Sequence, residues 1–201
     1  YSDELGLANI ANQSFSEAYA EITSNWREIT SNLPTLMSGM VGASTGWIEA
    51  PYCDLPASFE DLSKNLKQAD VGKNIWIIPG VKTFDVNKTP DVMRGEEIQA
   101  IAAGLEHHKA VVIVPGTHSK WIFIEQGKII SFTTFMTGDL YAAIVNHTII
   151  SALIQPTLEY KNESFLEGVE QGILQKYALS HMLFGGRTKV LFGQLDADCV
   201  S

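Results

Sequence analysis

Val111-Val112-Ile113-Val114-Pro115-Gly116-Thr117-His118-Ser119-Lys120 decides how this chain is read. Ala110 and the four apolar residues after it predict a buried strand, the β-branched side chains suiting a pleated surface. Pro115 and Gly116 stop the strand and open a loop. Gly116 lets backbone come close to a ligand. Thr117 and Ser119 bring hydroxyls, Lys120 brings a positive charge, and successive amides in such a turn form an anion-binding nest. A plain hairpin turn with hydroxyls satisfying the backbone accounts for the same residues. On composition alone the plain turn is the commoner outcome, so the loop needs support from elsewhere in the chain.

Working outward, Asn74-Ile75-Trp76-Ile77-Ile78-Pro79-Gly80 is another apolar run stopped by Pro and Gly, as expected of a strand buried on both faces. Between these runs, 82–90 is polar and reads as a mobile loop, and Ile98 to Leu105 continues as an Ala- and Ile-rich helix. Downstream, Trp121 to Glu125 and Ile129 to Phe135 flank Gln126-Gly127-Lys128 and predict a hairpin or meander. Ser14 with Glu17 is a capping box, followed by Phe15, Ala18, Tyr19, Ile22, Trp26 and Ile29 at helical spacing. Thr35-Leu36-Met37 leads into a short buried strand and turn at Ser38 to Gly42. Another short helix is expected over Ser58 to Leu66. Asp139 is placed to cap a helix to about Ile154, and Ser164 with Glu167 to open one whose core-spaced residues reach Phe184. Mixed strands and helices in this order indicate an α/β protein with a mixed sheet.

The bulk properties narrow the partners. The chain has 201 residues, 45% of them hydrophobic, enough for one good core or two small lobes. A charged fraction of 18% and mean hydropathy near zero argue against long disorder. A net charge of −9 disfavours nucleic acid or an anionic membrane as a main partner. Cys53 and Cys199 stand far apart and have neither a disulfide framework nor zinc-ligand spacing. No apolar run approaches the roughly 18 residues a membrane span needs. His107 and His108, ending a helix, read as surface residues, and no metal-ligating set is expected. The chain opens on Tyr1 and stops at Asp198-Cys199-Val200-Ser201, so both ends read as cut from something longer.

Two further segments could carry chemistry. In Arg94-Gly95-Glu96-Glu97 the adjacent acids point about 100° apart on a helix, so they cannot face one site alike. A helix N-terminus alone favours both. A positioned carboxylate there could instead take the proton from a hydroxyl attacking a phosphoryl group. Arg94 could grip a substrate carboxylate in a bidentate fork or pair with Asp91 or Glu97. In the second segment, Gly39, Met40, Val41 and Gly42 with Gly46 give backbone that can wrap a small ligand. Trp47 and Tyr52 could stack on a sugar face or close the core. Thr133-Thr134-Phe135-Met136-Thr137-Gly138-Asp139 is a hydroxyl-rich turn that could line the same cleft.

Together these words resemble the 2-dehydro-3-deoxygalactonokinase family: Gly39-Met40-Val41-Gly42 with Gly46-Trp47 and Pro51-Tyr52, Asn74 to Gly80, Val92-Met93-Arg94-Gly95-Glu96-Glu97 with Gln99, Pro115 to Trp121, and Phe135-Met136-Thr137-Gly138. Five in register make a specific signal. The resemblance implies ATP-dependent phosphorylation of 2-dehydro-3-deoxy-D-galactonate at its 6-hydroxyl, in the cytoplasm, with ATP and Mg2+. It implies an actin-like ATPase or hexokinase fold, ribonuclease H-like and two-lobed. Residues 1–104 would be the sugar-acid lobe with its hinge helix, and 105–201 the start of the nucleotide lobe. By similarity to glycerol kinase, Glu96 stands slightly ahead of Glu97 as the base, with Arg94 beside them. Gly116, Thr117, His118, Ser119 and Lys120 would hold phosphates. Gly39, Met40, Val41, Gly42, Trp47 and Tyr52 would bind the sugar acid. Ala43 and Asp139 depart from the family's usual Ser and Glu. The family's opening Asp-containing phosphate loop and its Gly-rich adenosine segment are not in these residues. Another sugar or polyol kinase, or a non-catalytic actin-like sugar sensor, is the alternative. The sequence leaves the oligomeric state open, a homodimer included.

Overall fold

The computed structural model describes residues 14–26, 33–69, 74–154, 161–174 and 177–196. Close packing divides the chain into two compact units, 1–135 and 136–201.

In the first unit, α1 (Phe15–Ile22) starts on the expected capping box, with the Ser14 side chain accepting from the Glu17 amide. The expected helical run to Ile29 is shorter: a 3-10 turn (Ser24–Trp26) follows α1, and Ile29 lies outside the described residues. Strand β1 (Thr35–Met37) lies parallel to β5 (Ile75–Ile77), which β4 (Lys67–Gln68) joins antiparallel. After β1 the chain forms a 3-10 turn at Met40–Gly42 instead of continuing as a strand.

A second sheet sets β2 (Tyr52–Asp54) parallel to β6 (Gly80–Phe84), with β7 (Pro90–Met93) antiparallel to β6. The polar stretch expected to be a mobile loop is therefore a hairpin. Its turn is closed by Asp85, whose carboxylate accepts the Asn87 and Thr89 amides at 2.8 Å each. An Asp accepting nearby amides is a local turn device that polarity alone does not reveal.

The third sheet runs β3 (Ala57–Ser58), β10 (Lys128–Met136), β9 (His118–Glu125), β8 (Lys109–Val114). The expected meander is present, but β8 is an edge strand alternating exposed and half-buried residues, not one buried on both faces. On the other side of this sheet Ile122, Ile124, Ile129 and Phe132 are buried. They form one core with Leu62 of α2 (Phe59–Lys64), Val81 and Met93 of the second sheet, and Ala100 and Ile101 of α3 (Glu96–Gly104). A Cβ on Gly104 would come within 2.7 Å of Ile124, so helix and sheet approach at glycine distance. Because α3 lies on β8 and β9, this helix and the meander share one core.

The second unit is helical. Helix α4 (Gly138–His147) follows Thr137, so Asp139 sits in its first turn and is not its cap. The helix stops at His147, where Thr148 caps a 3-10 turn (Ile149–Leu153). The helix expected from Ser164 to Phe184 is two helices, α5 (Asn162–Leu174) and α6 (Leu179–Leu191). Ser164 lies within α5, not at its cap. Lys189 of α6 pairs with Glu167 of α5 at 3.2 Å. Among the described residues no helix is long and apolar enough to cross a membrane.

Candidate active site

The chain between β7 and α3 carries the acids. Gly95 adopts φ 114, a conformation that costs a side-chain-bearing residue strain, and a Cβ there would lie 3.2 Å from Gly39 Cα. This tight turn brings the 39–52 loop against the start of α3. The two acids then fold back onto successive amides. Glu96 Oε2 accepts from the Arg94 N–H at 3.2 Å, and Glu97 Oε2 from the Gly95 N–H at 2.6 Å. Each carboxylate thus satisfies a backbone donor just before the helix, in place of a side-chain cap on Gly95.

The sequence separates the pair as expected, and the structure shows how far. Glu97 is fully buried. Burial is the main reason its carboxyl rises from an ordinary 4.5 to about 7, with the neighbouring Glu96 charge adding to the rise. The backbone bonds and the Arg94 charge oppose it. Glu97 Oε1 has no hydrogen-bond partner among the described residues. Glu96 keeps a quarter of its side chain exposed, and its Oε1 lies 3.4 Å from Lys120 Nζ. Lys120 is itself buried. Burying an ammonium is unfavourable unless it is paired, and the Glu96 carboxylate and the His118 carbonyl, 3.3 Å away, are its partners. The end of the β8–β9 loop is thereby joined to the start of α3.

The rest of that loop faces outward. Gly116, Thr117 and His118 are exposed, while Ser119 is buried and its Oγ accepts from the Gly116 N–H at 3.3 Å. A Cβ built on Gly116 meets no atom within 4 Å, so no packing within the chain requires glycine there.

In the 39–52 loop, backbone bonds from Gly42 to Gly39, Trp47 to Val41, and Ala50 to Gly42 wind the segment on itself. Met40 is 54% exposed. Trp47 is half-buried with its ring 5.8 Å from that of Tyr19. Tyr52 lies beneath the Arg94 guanidinium, whose Cζ is 4.3 Å from the ring centroid. Neither Asp91 nor Glu97 forms an ion pair with Arg94 among the described residues. Asp91 instead accepts the Thr134 N–H at 2.8 Å and the Thr134 hydroxyl at 2.6 Å, tying β7 to β10. Sequence reasoning missed this link: Thr134 stood out only as part of a hydroxyl-rich turn, and nothing local points from it to Asp91. Among the described residues no group of three His, Cys, Asp or Glu could hold a metal ion.

Fold and site define an α/β protein with mixed sheets, in which a quarter-exposed glutamate, a buried lysine and a glycine-bearing loop converge at one helix N-terminus. The family described as 2-keto-3-deoxy-galactonokinase matches residues 1–201. The 2-dehydro-3-deoxygalactonokinase of Escherichia coli (strain K12) is 38% identical over 199 residues, 98% of this chain and 65% of that protein. A candidate 2-dehydro-3-deoxygalactonokinase of Rhizobium meliloti (strain 1021), DgoK1, is 36% identical over 166 residues, 80% of this chain and 54% of that protein. A crystal structure of a candidate 2-dehydro-3-deoxygalactonokinase from Sinorhizobium meliloti superposes with a TM-score of 0.88 at 30% identity, covering 97% of this chain and 66% of that one. The chain belongs to the 2-keto-3-deoxy-galactonokinase family, and spans about 65% and 54% of the lengths of the two curated relatives.

Proposed function

We propose that this chain supplies the sugar-acid loop, the catalytic base and part of the phosphate cradle of an ATP-dependent kinase that phosphorylates 2-dehydro-3-deoxy-D-galactonate on its 6-hydroxyl. The observation carrying this reading is the Glu96–Lys120 pair at 3.4 Å, which sets a carboxylate beside the loop able to take phosphate. The family's naming agrees with it. The fold we assign is the actin-like, hexokinase type, with a sugar-acid lobe through 104 and a nucleotide lobe from 105.

In the reaction, the 6-hydroxyl gives its proton to Glu96 as its oxygen bonds to the γ-phosphorus. The bond from that phosphorus to the bridging oxygen breaks, and ADP leaves. Glu96 is the better base of the two acids because it retains exposure and Glu97 has none. A base must reach the proton it abstracts. The exposed Thr117, with its hydroxyl, is suited to phosphate oxygens, and Lys120 adds positive charge behind it. With no carboxylate cage among the described residues, magnesium would be carried on the nucleotide phosphates, where it would neutralise charge. The 39–52 loop would enclose the sugar acid.

The test is phosphorylation by the intact protein of 2-dehydro-3-deoxygalactonate, 2-dehydro-3-deoxygluconate and glycerol, followed by ADP release. The first should be preferred. A faster rate on glycerol overturns the substrate assignment, and no ATP-dependent turnover on any of them overturns the kinase reading.

A further inference from the structure

We infer that Arg94 is a positioning residue that fastens the 39–52 loop to the N-terminus of α3, and not a direct ligand of the substrate carboxylate. Its side chain enters the loop at three points. The Nη2 group donates to the Ala50 carbonyl at 2.8 Å. The guanidinium plane lies over Tyr52. A Cβ on Gly42 would stand 2.9 Å from Nη1 and 2.7 Å from Ile77 Cγ2, so the missing side chain at 42 leaves room for the guanidinium and for Ile77 together. From the other end, the Arg94 amide donates to Glu96. One residue therefore joins the loop to the proposed base.

Arg94 is nine-tenths buried. A fork that gripped a substrate would need an open edge, whereas here the loop's own backbone and Tyr52 cover it. Among the described residues Nε and Nη1 are buried without partners, as is Glu97 Oε1. Unmade bonds of this kind weigh against stability. They persist because the guanidinium is fixed by the three loop contacts, and the charge it brings offsets part of the burial of Glu97. A planar, always-charged group that bonds at one edge and stacks on its face is what this place requires, and lysine does not supply it.

The kinetic arm of the test rests on the kinase reading; the exchange arm does not. In the intact protein, Arg94→Met, Arg94→Lys and Gly42→Ala are compared with wild type on 2-dehydro-3-deoxygalactonate and on its neutral amide analogue. Misplacing the loop should lower kcat/KM on both substrates by the same factor, on the order of 10–100-fold. Lysine should not rescue, and Gly42→Ala, which removes no charge, should reproduce the loss. A loss at least tenfold greater on the acid than on the amide would make Arg94 a carboxylate ligand and overturn the inference. Hydrogen exchange gives the second readout. The amides of Gly42, Trp47 and Ala50 should exchange at least tenfold faster in Arg94→Met, with the β9–β10 amides unchanged; equal protection in wild type and variant overturns the clamp. If Arg94→Met does not fold, Arg94→Lys and Gly42→Ala carry the same measurements. If wild type phosphorylates neither compound, the kinase reading fails and exchange still decides the clamp.

Discussion

Replacing Glu97 by Gln removes one titrating group and almost no volume, so it isolates what the buried carboxyl does to stability. In the unfolded chain Glu97 titrates near its ordinary 4.5, and in the fold near about 7. The folded state therefore holds the proton more tightly. The stability this confers is complete below pH 4.5 and is lost as the pH rises through about 7. Each pH unit between the two values is worth about 1.36 kcal/mol, so full ionisation removes roughly 3 kcal/mol, a large part of a typical domain's stability. Most of that loss falls between pH 5 and 8. Asp61 and Glu17, held below their ordinary values by bonds to Ser58 and Ser14, act below this window, as does Glu125 beside Lys109. Cys53, pushed up by burial, acts above it. Urea unfolding of wild type and Glu97→Gln at half-unit steps from pH 5 to 8 provides the measurement. The wild-type free energy should fall relative to the variant by roughly 2–3 kcal/mol across the window. Two curves that stay parallel would refute the reasoning, because Glu97 would then titrate alike folded and unfolded.

Glu96→Gln should lower kcat about 10²–10⁴-fold with little change in fold, as expected for loss of a general base. Glu97→Gln, assayed in parallel, should lose less than about tenfold, and a larger loss from Glu97→Gln would exchange the two assignments. Gly116→Ala should leave the unfolding midpoint unchanged, since a Cβ meets nothing within 4 Å, yet raise the KM for ATP. An unchanged KM would remove Gly116 from the phosphate loop.

Local chemistry was legible in the sequence wherever it operates over a few residues. The Ser14–Glu17 box does form. The helix expected over Ser58 to Leu66 is present as α2, itself boxed by Ser58 and Asp61. Ile75–Ile77 pairs on both sides with its ends buried. The helix after Gly95 starts at Glu96. What failed was inference from polarity and from pattern without a partner. Residues 82–90 are polar because the hairpin is only partly covered, not because it lacks order. Val111 to Val114 is apolar on both sides, yet Val111 and Ile113 stand about half exposed at a sheet edge. Ser164 and Glu167 match a capping box in spacing, but the helix begins two residues earlier and needs no box there. At the site, residue types, their order and the divergence of Glu96 from Glu97 were readable, whereas which of the two is buried was not. That depends on which carboxylate the fold buries, and Glu97 is buried together with Ala100, Ile101 and Gly104 of α3.

The meeting of Gly39 and Gly95 has a consequence for how this region can vary. The contact is main chain against main chain, with Gly39 at φ 87 and Gly95 at φ 114. No rotamer there can lengthen or shorten to absorb a displaced neighbour. A residue inserted between Met37 and Gly39 would shift the loop by a whole peptide, whereas substitutions at exposed Met40 change nothing at the joint. Variation in this loop is therefore open at exposed side chains such as Met40 and closed in length and at Gly39, Gly42 and Gly46, so a library built in it should randomise the exposed positions and leave the spacing from β1 untouched.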